Sequence, residues 1–328
     1  PHGSMNPDGF DVELWWWEQG VRANGYVRVV AGWSAAELLD ERAGHPVERL
    51  RQRVRDAIVR HIPDPRVAGV IAALVVGDQA AIEREDWALF RNTGIAHLMS
   101  ISGLHVTMFA WVAGAAMGWA WRRSTRLMLM VPAPMAARWG GLLVATGYAL
   151  LAGWGVPAER TLLMLAFGVL LRTIGARWPF ILVLMLAAVV VTVFDPWALL
   201  QPGFWLSFAA VGLLLASEEA ANSAETPAPP PEHSWGRAAA WLRGTAQGHV
   251  RSQVVATLGL APLSLVFFQQ LSLIGFVANL VAIPLVTLLI TPLALLGTLV
   301  PWLWDAAGWA VQALVWGLTW LASWPMAV

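Results

Sequence analysis

Two histidines, two serines and two glycines lie close together in one short stretch of this chain, residues 94–106. The stretch stands at the start of an apolar run, 104–121, that is long enough to enter a lipid bilayer. Polar groups at membrane depth cost free energy unless they are paired or face water, so they often mark a pathway or a site. The chemistry that these side chains offer is hydrogen bonding, metal binding, proton transfer or nucleophilic attack.

His97 and His105 are the titratable residues of this stretch. On one continuous helix they would lie within about 80° of each other around the helix axis. A metal site would need further ligands, and only Asp78 or Glu83 offers a carboxylate that the fold can bring near. We therefore expect the histidines to brace the segment by hydrogen bonds, with their protonation as a further means of tuning a polar path. No metal and no other cofactor is expected.

The serines of the stretch allow a second interpretation, an intramembrane serine hydrolase. Such an enzyme needs a general base within hydrogen-bond reach of the nucleophile, and His105 would be a neighbour of Ser102 on a helix. The later apolar runs contain no histidine that would supply another base. Ser100, Ser102 and Gly103 are also small residues of the kind that let membrane helices pack closely.

The composition predicts an all-α, polytopic membrane protein. Hydrophobic residues make up 58% of the 328 residues and charged residues only 13%, against about 25% in a soluble domain. The net charge of +0 excludes a generally basic surface for nucleic acid. All 21 basic residues are arginine, which either suits local phosphate binding or reflects a general replacement of lysine. The absence of cysteine excludes disulfides and thiol nucleophiles.

The N-terminal part of the chain is the water-soluble part. Residues 1–5 are interpreted as a remnant of an expression vector, and 6–65 as an extracytoplasmic segment that follows an excised upstream region. Within it we expect an interfacial helix at 11–19, a short strand at 26–30 and an arginine-rich amphipathic helix at 47–61.

The remainder divides into two membrane halves, 66–217 and 251–328, joined by a cytoplasmic linker rich in proline and alanine at 218–250. A run at 67–76 is too short to span a bilayer and predicts a re-entrant or half-membrane helix. Longer runs predict helices at 104–121, 139–154, 161–177, 178–194, 203–217, 252–269, 272–290, 291–304 and 306–325.

The arginines predict the orientation of the first half. They are concentrated in the loops at 122–138, 172–177 and 237–251, which the positive-inside rule assigns to the cytoplasm. Residues 6–95, together with the polar stretch at 97–105, are therefore expected at the outer face.

Three further polar residues stand apart in or beside apolar runs. Arg160 is expected either to contact phosphate at a pore entrance or to pair with Glu159 or Asp195. Arg91 carries the same two interpretations. Asn279, which precedes a proline, either satisfies backbone groups freed by a kink or lines a pore.

The stretch 90–106 reads Phe-Arg-Asn-Thr-Gly-Ile-Ala-His-Leu-Met-Ser-Ile-Ser-Gly-Leu-His-Val. It resembles the central signature of the competence domain of ComEC-type DNA-uptake proteins, and we call it the signature segment. Further blocks resemble that family in the expected order along nearly the whole chain. They are 6–26, Gly77-Asp78, the block from Asp195-Pro196 through Pro202-Gly203-Phe204 to Leu206-Ser207-Phe208, and Asn279–Pro284.

The resemblance implies a channel that imports single-stranded DNA across the bacterial inner membrane during natural transformation. Its implied partners are the DNA strand, the lipid bilayer, a DNA receptor and a cytoplasmic ATP-dependent helicase or translocase. The residues that we assign to the signature or to the DNA path are Asp78, Arg91, His97, Ser100, Ser102, Gly103, His105, Arg160, Ser207 and Asn279.

Two departures from the family pattern affect these expectations. Trp205 stands where the family has glutamine, and whether Gln269 or Gln270 replaces that amide is open. The metal motif of the family's metallo-β-lactamase-like domain does not occur, and only the tail of its OB-like domain precedes the membrane part, so no nuclease activity is expected. A small-solute secondary transporter built on broken helices is the alternative, and an intramembrane serine hydrolase is a further one.

Overall fold

The computed structural model describes residues 13, 16, 21, 23, 45–176, 178–224, 234–269 and 273–324. The chain separates into two units, 1–45 and 46–328, and the second contains the elements that follow. The interfacial helix predicted at 11–19 lies outside the described residues except for isolated helical positions. The strand predicted at 26–30 lies outside the described residues, which contain no strand.

The second unit is a set of α-helices joined by short turns, which agrees with the all-α prediction. In chain order they are α1 (Pro46–His61), α2 (Pro65–Val76), α3 (Arg84–Asn92), α4 (Gly103–Trp121), α5 (Thr125–Met130), α6 (Ala133–Leu151), α7 (Val156–Thr173), α8 (Phe180–Phe194), α9 (Pro202–Ala224), α10 (Ser234–Phe268), α11 (Leu273–Pro284), α12 (Thr291–Gly297) and α13 (Trp302–Ala322). Single 3₁₀ turns lie at Gln79–Ala81, Ala96–Leu98 and Pro196–Leu200, and a π-helix lies at Leu285–Ile290.

Helix α2 forms the centre of the core. Every residue from Val67 to Val76 is buried, and α1, α12 and α13 pack around the helix. The helix is as short as the predicted re-entrant or half-membrane helix at 67–76, and protein encloses it. Its depth in a bilayer stays a prediction, because an apolar run of this length reads the same at any depth.

Both ends of α2 are closed by specific hydrogen bonds. Asp64 caps the start, accepting from the Arg66 backbone N–H at 3.0 Å. At the other end the last carbonyls of a helix lack partners within it. The Tyr148 hydroxyl donates to the Leu74 carbonyl at 3.1 Å, and the Arg51 guanidinium donates to the Val76 carbonyl at 2.8 Å. Side chains from α6 and α1 thus hold the buried end of α2.

Helices α4 and α6 lie in close contact along their lengths. A Cβ atom on Gly141 would come within 2.3 Å of the Ala110 carbonyl oxygen, and one on Gly114 within 2.9 Å of the Ala137 carbonyl oxygen. The missing side chains let the two backbones approach, as is common between membrane helices.

Helix α11, the π-helix and α12 form one continuous rod, 273–297. The two separate helices predicted at 272–290 and 291–304 are therefore wrong. Pro284 has no N–H to donate to the preceding turn, and the backbone widens into the π-helix directly after it instead of breaking. The chain turns only after Gly297, and α13 then begins at Trp302.

Two segments among the described residues are long and apolar enough to cross a bilayer, Arg243–Phe267 and Ile274–Gly297. Other helices carry large apolar side chains on their outer surfaces. Trp111, Val193 and Trp316 are 74%, 72% and 75% exposed. Exposed apolar surface of this kind suits lipid better than water, so the fold indicates a membrane protein.

Candidate functional site

The signature segment begins at the end of α3, where the chain reverses direction. The Thr93 hydroxyl donates to the Leu89 carbonyl at 2.8 Å, and Gly94 adopts a left-handed φ of 71°. The Ile95 N–H then donates to the Phe90 carbonyl at 2.8 Å. This arrangement satisfies the terminal carbonyls of α3, and it explains why Thr-Gly follows the helix.

A single 3₁₀ turn, Ala96–Leu98, follows and is anchored by buried apolar side chains at Ile95, Leu98 and Met99. His97 lies within this turn and is exposed. The Ser100 hydroxyl donates to the His97 carbonyl at 3.0 Å and so closes the turn.

Ser102 and His105 cap the start of α4 reciprocally. The His105 backbone N–H donates to Ser102 Oγ at 3.4 Å, and the Ser102 backbone N–H donates to His105 Nδ1 at 3.4 Å. Ser102 Oγ also lies 3.2 Å from the same Nδ1 atom. Because a backbone N–H can only donate, Nδ1 is the acceptor, which places the proton of a neutral imidazole on Nε2.

The Nε2 atom of His105 lies 3.4 Å from the Thr291 hydroxyl, at the junction of the π-helix and α12. Both residues are fully buried. His105 therefore ties the start of α4 to the rod. His97 and His105 do not share one helix: they occupy separate elements, one exposed and the other buried.

Asn279 makes a second link between the signature segment and the rod. Its Nδ2 atom donates to the Gly94 carbonyl at 3.4 Å, whereas its buried Oδ1 atom has no partner among the described residues. The prediction that Asn279 satisfies the rod's own kinked backbone is thereby replaced by a contact with the signature segment. Thr287, one turn before Thr291, also has a buried hydroxyl without a partner in the described part of the chain.

Neutral polar side chains thus lie at and beside the contacts between the signature segment and the rod. We call this set the polar seam; its members are His105, Thr287 and Thr291, which are buried, and Ser102 and Asn279, which are partly buried. It carries hydrogen-bond donors and acceptors and no formal charge, given the neutral tautomer of His105.

Gly103 allows α7 to approach the start of α4. A Cβ atom there would lie 2.4 Å from Thr161 Oγ1, so any larger residue would push the helices apart. Arg160, the residue before Thr161 on α7, is buried. Its Nη2 atom donates to Gln201 Oε1 at 3.1 Å. The guanidinium also lies against Gly203.

Gln201 is a residue that sequence reasoning missed. The signal available was its position directly before Pro202-Gly203, inside the block that resembles the family. Trp205, at the family's glutamine position, donates instead to the Leu199 carbonyl at 2.9 Å and is exposed. Gln269 is exposed, and Gln270 lies outside the described residues.

Comparison with known proteins identifies the family. Residues 74–328 match the family model described as "Competence protein". The chain belongs to the competence protein family.

Curated relatives match almost the whole chain. Competence protein ComA of Neisseria gonorrhoeae is 33% identical over 98% of this chain and 43% of its own length. The uncharacterized protein YcaI of Escherichia coli is 30% identical over 97% and 40%, and recombination protein 2 of Haemophilus influenzae is 28% identical over 91% and 36%. The chain thus spans less than half the length of these relatives. No solved structure matches it.

Not every assigned residue of this competence protein lies at the polar seam. Asp78 forms an ion pair with Arg55 of α1 at 2.5 Å. Arg91 is exposed in the last turn of α3, and Ser207 lies partly buried on α9. The structure brings Ser102, Gly103 and His105 together at the start of α4, joins Asn279 to Gly94 of the signature segment, and places Asp78, Arg91 and Ser207 elsewhere.

The geometry at Ser102 bears on hydrolase chemistry. The distance of 3.2 Å from Oγ to His105 Nδ1 is within the reach of a nucleophile and its base. However, Oγ also accepts the His105 backbone N–H, so the serine serves as a helix cap. Among the described residues no group of three or more His, Asp and Glu side chains is arranged to hold a metal ion.

Proposed function

We propose that this chain is the membrane-embedded part of a competence protein that passes one strand of DNA across the bacterial inner membrane. Family membership over residues 74–328 supports a role in DNA uptake. A DNA strand carries one phosphate charge per nucleotide and cannot cross hydrocarbon unaided, so its carrier must supply polar groups at membrane depth. We propose no catalytic role for the chain.

The polar seam is the observation that carries this proposal. It joins the signature segment to the rod, and the Asn279 Oδ1 and Thr287 Oγ1 atoms are buried there without partners among the described residues. An unpartnered buried polar group costs roughly 1–3 kcal/mol, and a native protein that keeps one usually has a reason beyond stability. Because both atoms are buried, the proposal requires that the rod and the signature segment separate before a polar substrate reaches them.

The neutrality of the seam fits the transport of a strand. Conduction requires that binding is weak enough for the substrate to leave. A row of arginines would hold phosphates tightly. Hydroxyl, amide and imidazole groups can take the place of the water molecules that hydrate the strand, and they carry no fixed charge. Arg160 is buried against Gln201, and in this proposal it has a structural role beside the route of the DNA strand.

The proposal includes partners and an orientation. A DNA receptor hands over the strand at the outer face, where the arginine distribution predicts the signature segment to lie. A cytoplasmic ATP-dependent helicase or translocase draws it inward.

The test follows labelled donor DNA in cells whose gene carries Asn279→Ala. Loss of the amide should leave DNA bound outside and lower its entry into the cytoplasm several-fold, because the link to Gly94 and the free Oδ1 atom are both removed. Gln312→Ala, at an exposed position of α13 outside the signature segment and the rod, is the control. Both proteins are checked for equal membrane abundance.

Normal cytoplasmic entry with Asn279→Ala would show that the seam is a packing feature only. If deletion of the gene leaves DNA entry intact, the import function itself fails, and a small-solute secondary transporter becomes the better account.

A further inference from the structure

A cavity of about 820 Å³ lies at the end of the helices opposite to the signature segment. Helix α7 begins near Gly103 and ends at Thr173, so the arginine in its last turn, Arg172, lies at the far end. Arg138, in the second turn of α6, lines the same cavity. The volume is within the range of roughly 300–1,000 Å³ that ligand sites occupy.

The lining of the cavity combines two cations with an apolar wall. Apart from Arg138 and Arg172 the described lining is mainly apolar and includes Met164, Leu171, Phe180, Val183, Leu184 and Val211. None of the described residues that line it is acidic. Trp178, 47% exposed at the mouth, is of the residue type that sits at headgroup level in bilayers.

Two further features favour a ligand that has an anionic end and a hydrocarbon chain. Helix α8 begins at Phe180, and the positive end of its dipole lies at the cavity. Gly168 and Gly175 open into empty space, since a Cβ atom on either would have no neighbour within 4 Å. The wall therefore has room for a chain of hydrocarbon below the charged end.

We propose that this cavity binds one phospholipid with an anionic headgroup. Its phosphate lies between Arg138 and Arg172, and one acyl chain lies along the wall formed by α7, α8 and α9. Charge complementarity selects the headgroup, and the apolar wall selects a lipid over a free anion or a nucleic acid. Basic pockets between membrane helices bind anionic lipids by the same physics.

The test counts the lipids that stay bound to the full chain, purified in detergent, by native mass spectrometry. Phosphatidylglycerol is the probe and phosphatidylcholine the zwitterionic comparison. We expect retained phosphatidylglycerol to exceed phosphatidylcholine, and the double variant Arg138→Gln with Arg172→Gln to lower that excess several-fold. Arg126→Gln, an exposed arginine outside the cavity lining, is the matched control and should leave it unchanged.

A second variant tests the wall without touching a charge. Gly168→Leu fills the cavity and should lower phosphatidylglycerol retention, whereas Gly147→Leu, where a Cβ atom also meets nothing within 4 Å, should not. Thermal unfolding of each variant without lipid shows that it is folded.

Several results would overturn the proposal. They are equal retention of the two lipids, an equal loss with Arg126→Gln, or no loss with Gly168→Leu. Displacement of phosphatidylglycerol by a short single-stranded oligonucleotide through the same two arginines would assign the cavity to nucleic acid instead.

Discussion

Glycines behave differently in two regions of this protein. Around α2 they lie in close contact with backbone: a Cβ atom on Gly77 would lie 2.1 Å from the Ala152 carbonyl oxygen, and one on Gly69 would lie 2.3 Å from that of Ala81. Around the arginine-lined cavity, Gly168 and Gly175 face open space. Glycine thus permits close backbone packing in the first region, which we call the closed region, and leaves empty space in the second, the open region.

The difference suits two separate roles for the two regions. The closed region includes the buried helix α2, the start of α4 and the rod, and it holds the polar seam in a fixed geometry. The open region leaves apolar surface and a cavity that lipid can occupy. Since native interiors are close-packed, substitutions that add atoms or remove a formed hydrogen bond should cost stability in the first region and little in the second.

The largest expected effect is that of Gly77→Ala. Its φ of 71° is unfavourable for alanine, and the added Cβ atom collides with the Ala152 carbonyl. The two costs add, so we expect unfolding free energy to fall by roughly 3 kcal/mol or more. Gly168→Ala, in the open region, should be neutral or slightly stabilising. The midpoint of thermal unfolding in detergent measures both. Equal midpoints for the two variants would remove the contrast between the regions.

A smaller effect is expected for Tyr148→Phe. The hydroxyl partners a terminal carbonyl of α2 that is buried, so its loss should cost roughly 1–3 kcal/mol. Trp139→Phe removes an exposed hydrogen bond to Thr173 in the open region and should cost much less. The two unfolding midpoints measure how much more a lost hydrogen bond costs in the closed region than in the open one. A larger fall in midpoint for Trp139→Phe than for Tyr148→Phe would contradict the difference between the regions.

Ser102 offers the smallest expected change in stability and separates two functions. Ser102→Ala removes a helix cap and should cost about 1 kcal/mol, whereas Ser102→Asn keeps a capping oxygen and should cost little. The import proposal expects DNA uptake to survive in Ser102→Asn. A serine hydrolase would lose its activity in both variants, because neither retains a nucleophile. Uptake lost in Ser102→Asn at normal membrane abundance would contradict that expectation.

The sequence predicted elements with local signals better than those that depend on distant contacts. Helix α1 was predicted at 47–61 and is observed at Pro46–His61, since its apolar stripe is a local pattern. The continuous rod was missed, because the predicted boundary at 290/291 stands beside Pro292, a residue typical of a helix start, whereas the π-helix runs on into α12 there.

The candidate site was predicted in part for the same reason. The residues of the signature segment were recognisable from their order, and so were Asn279 and Arg160. Their partners were not: Asn279 meets Gly94 across 185 positions, and Arg160 meets Gln201 across 41. The periodicity of the sequence does not predict contacts between such distant residues. They follow from the packing of α3, α7 and the rod.

The central claim, that the polar seam serves transport, is tested most directly by Thr287→Val. Valine keeps the shape of threonine and removes a buried hydroxyl that has no partner among the described residues, so stability should be unchanged or slightly higher. Thr319→Val, on α13 outside the seam, is the matched control. We expect entry of labelled DNA into the cytoplasm to fall several-fold for Thr287→Val alone, with DNA still bound outside. Normal entry at equal stability and abundance would contradict the account.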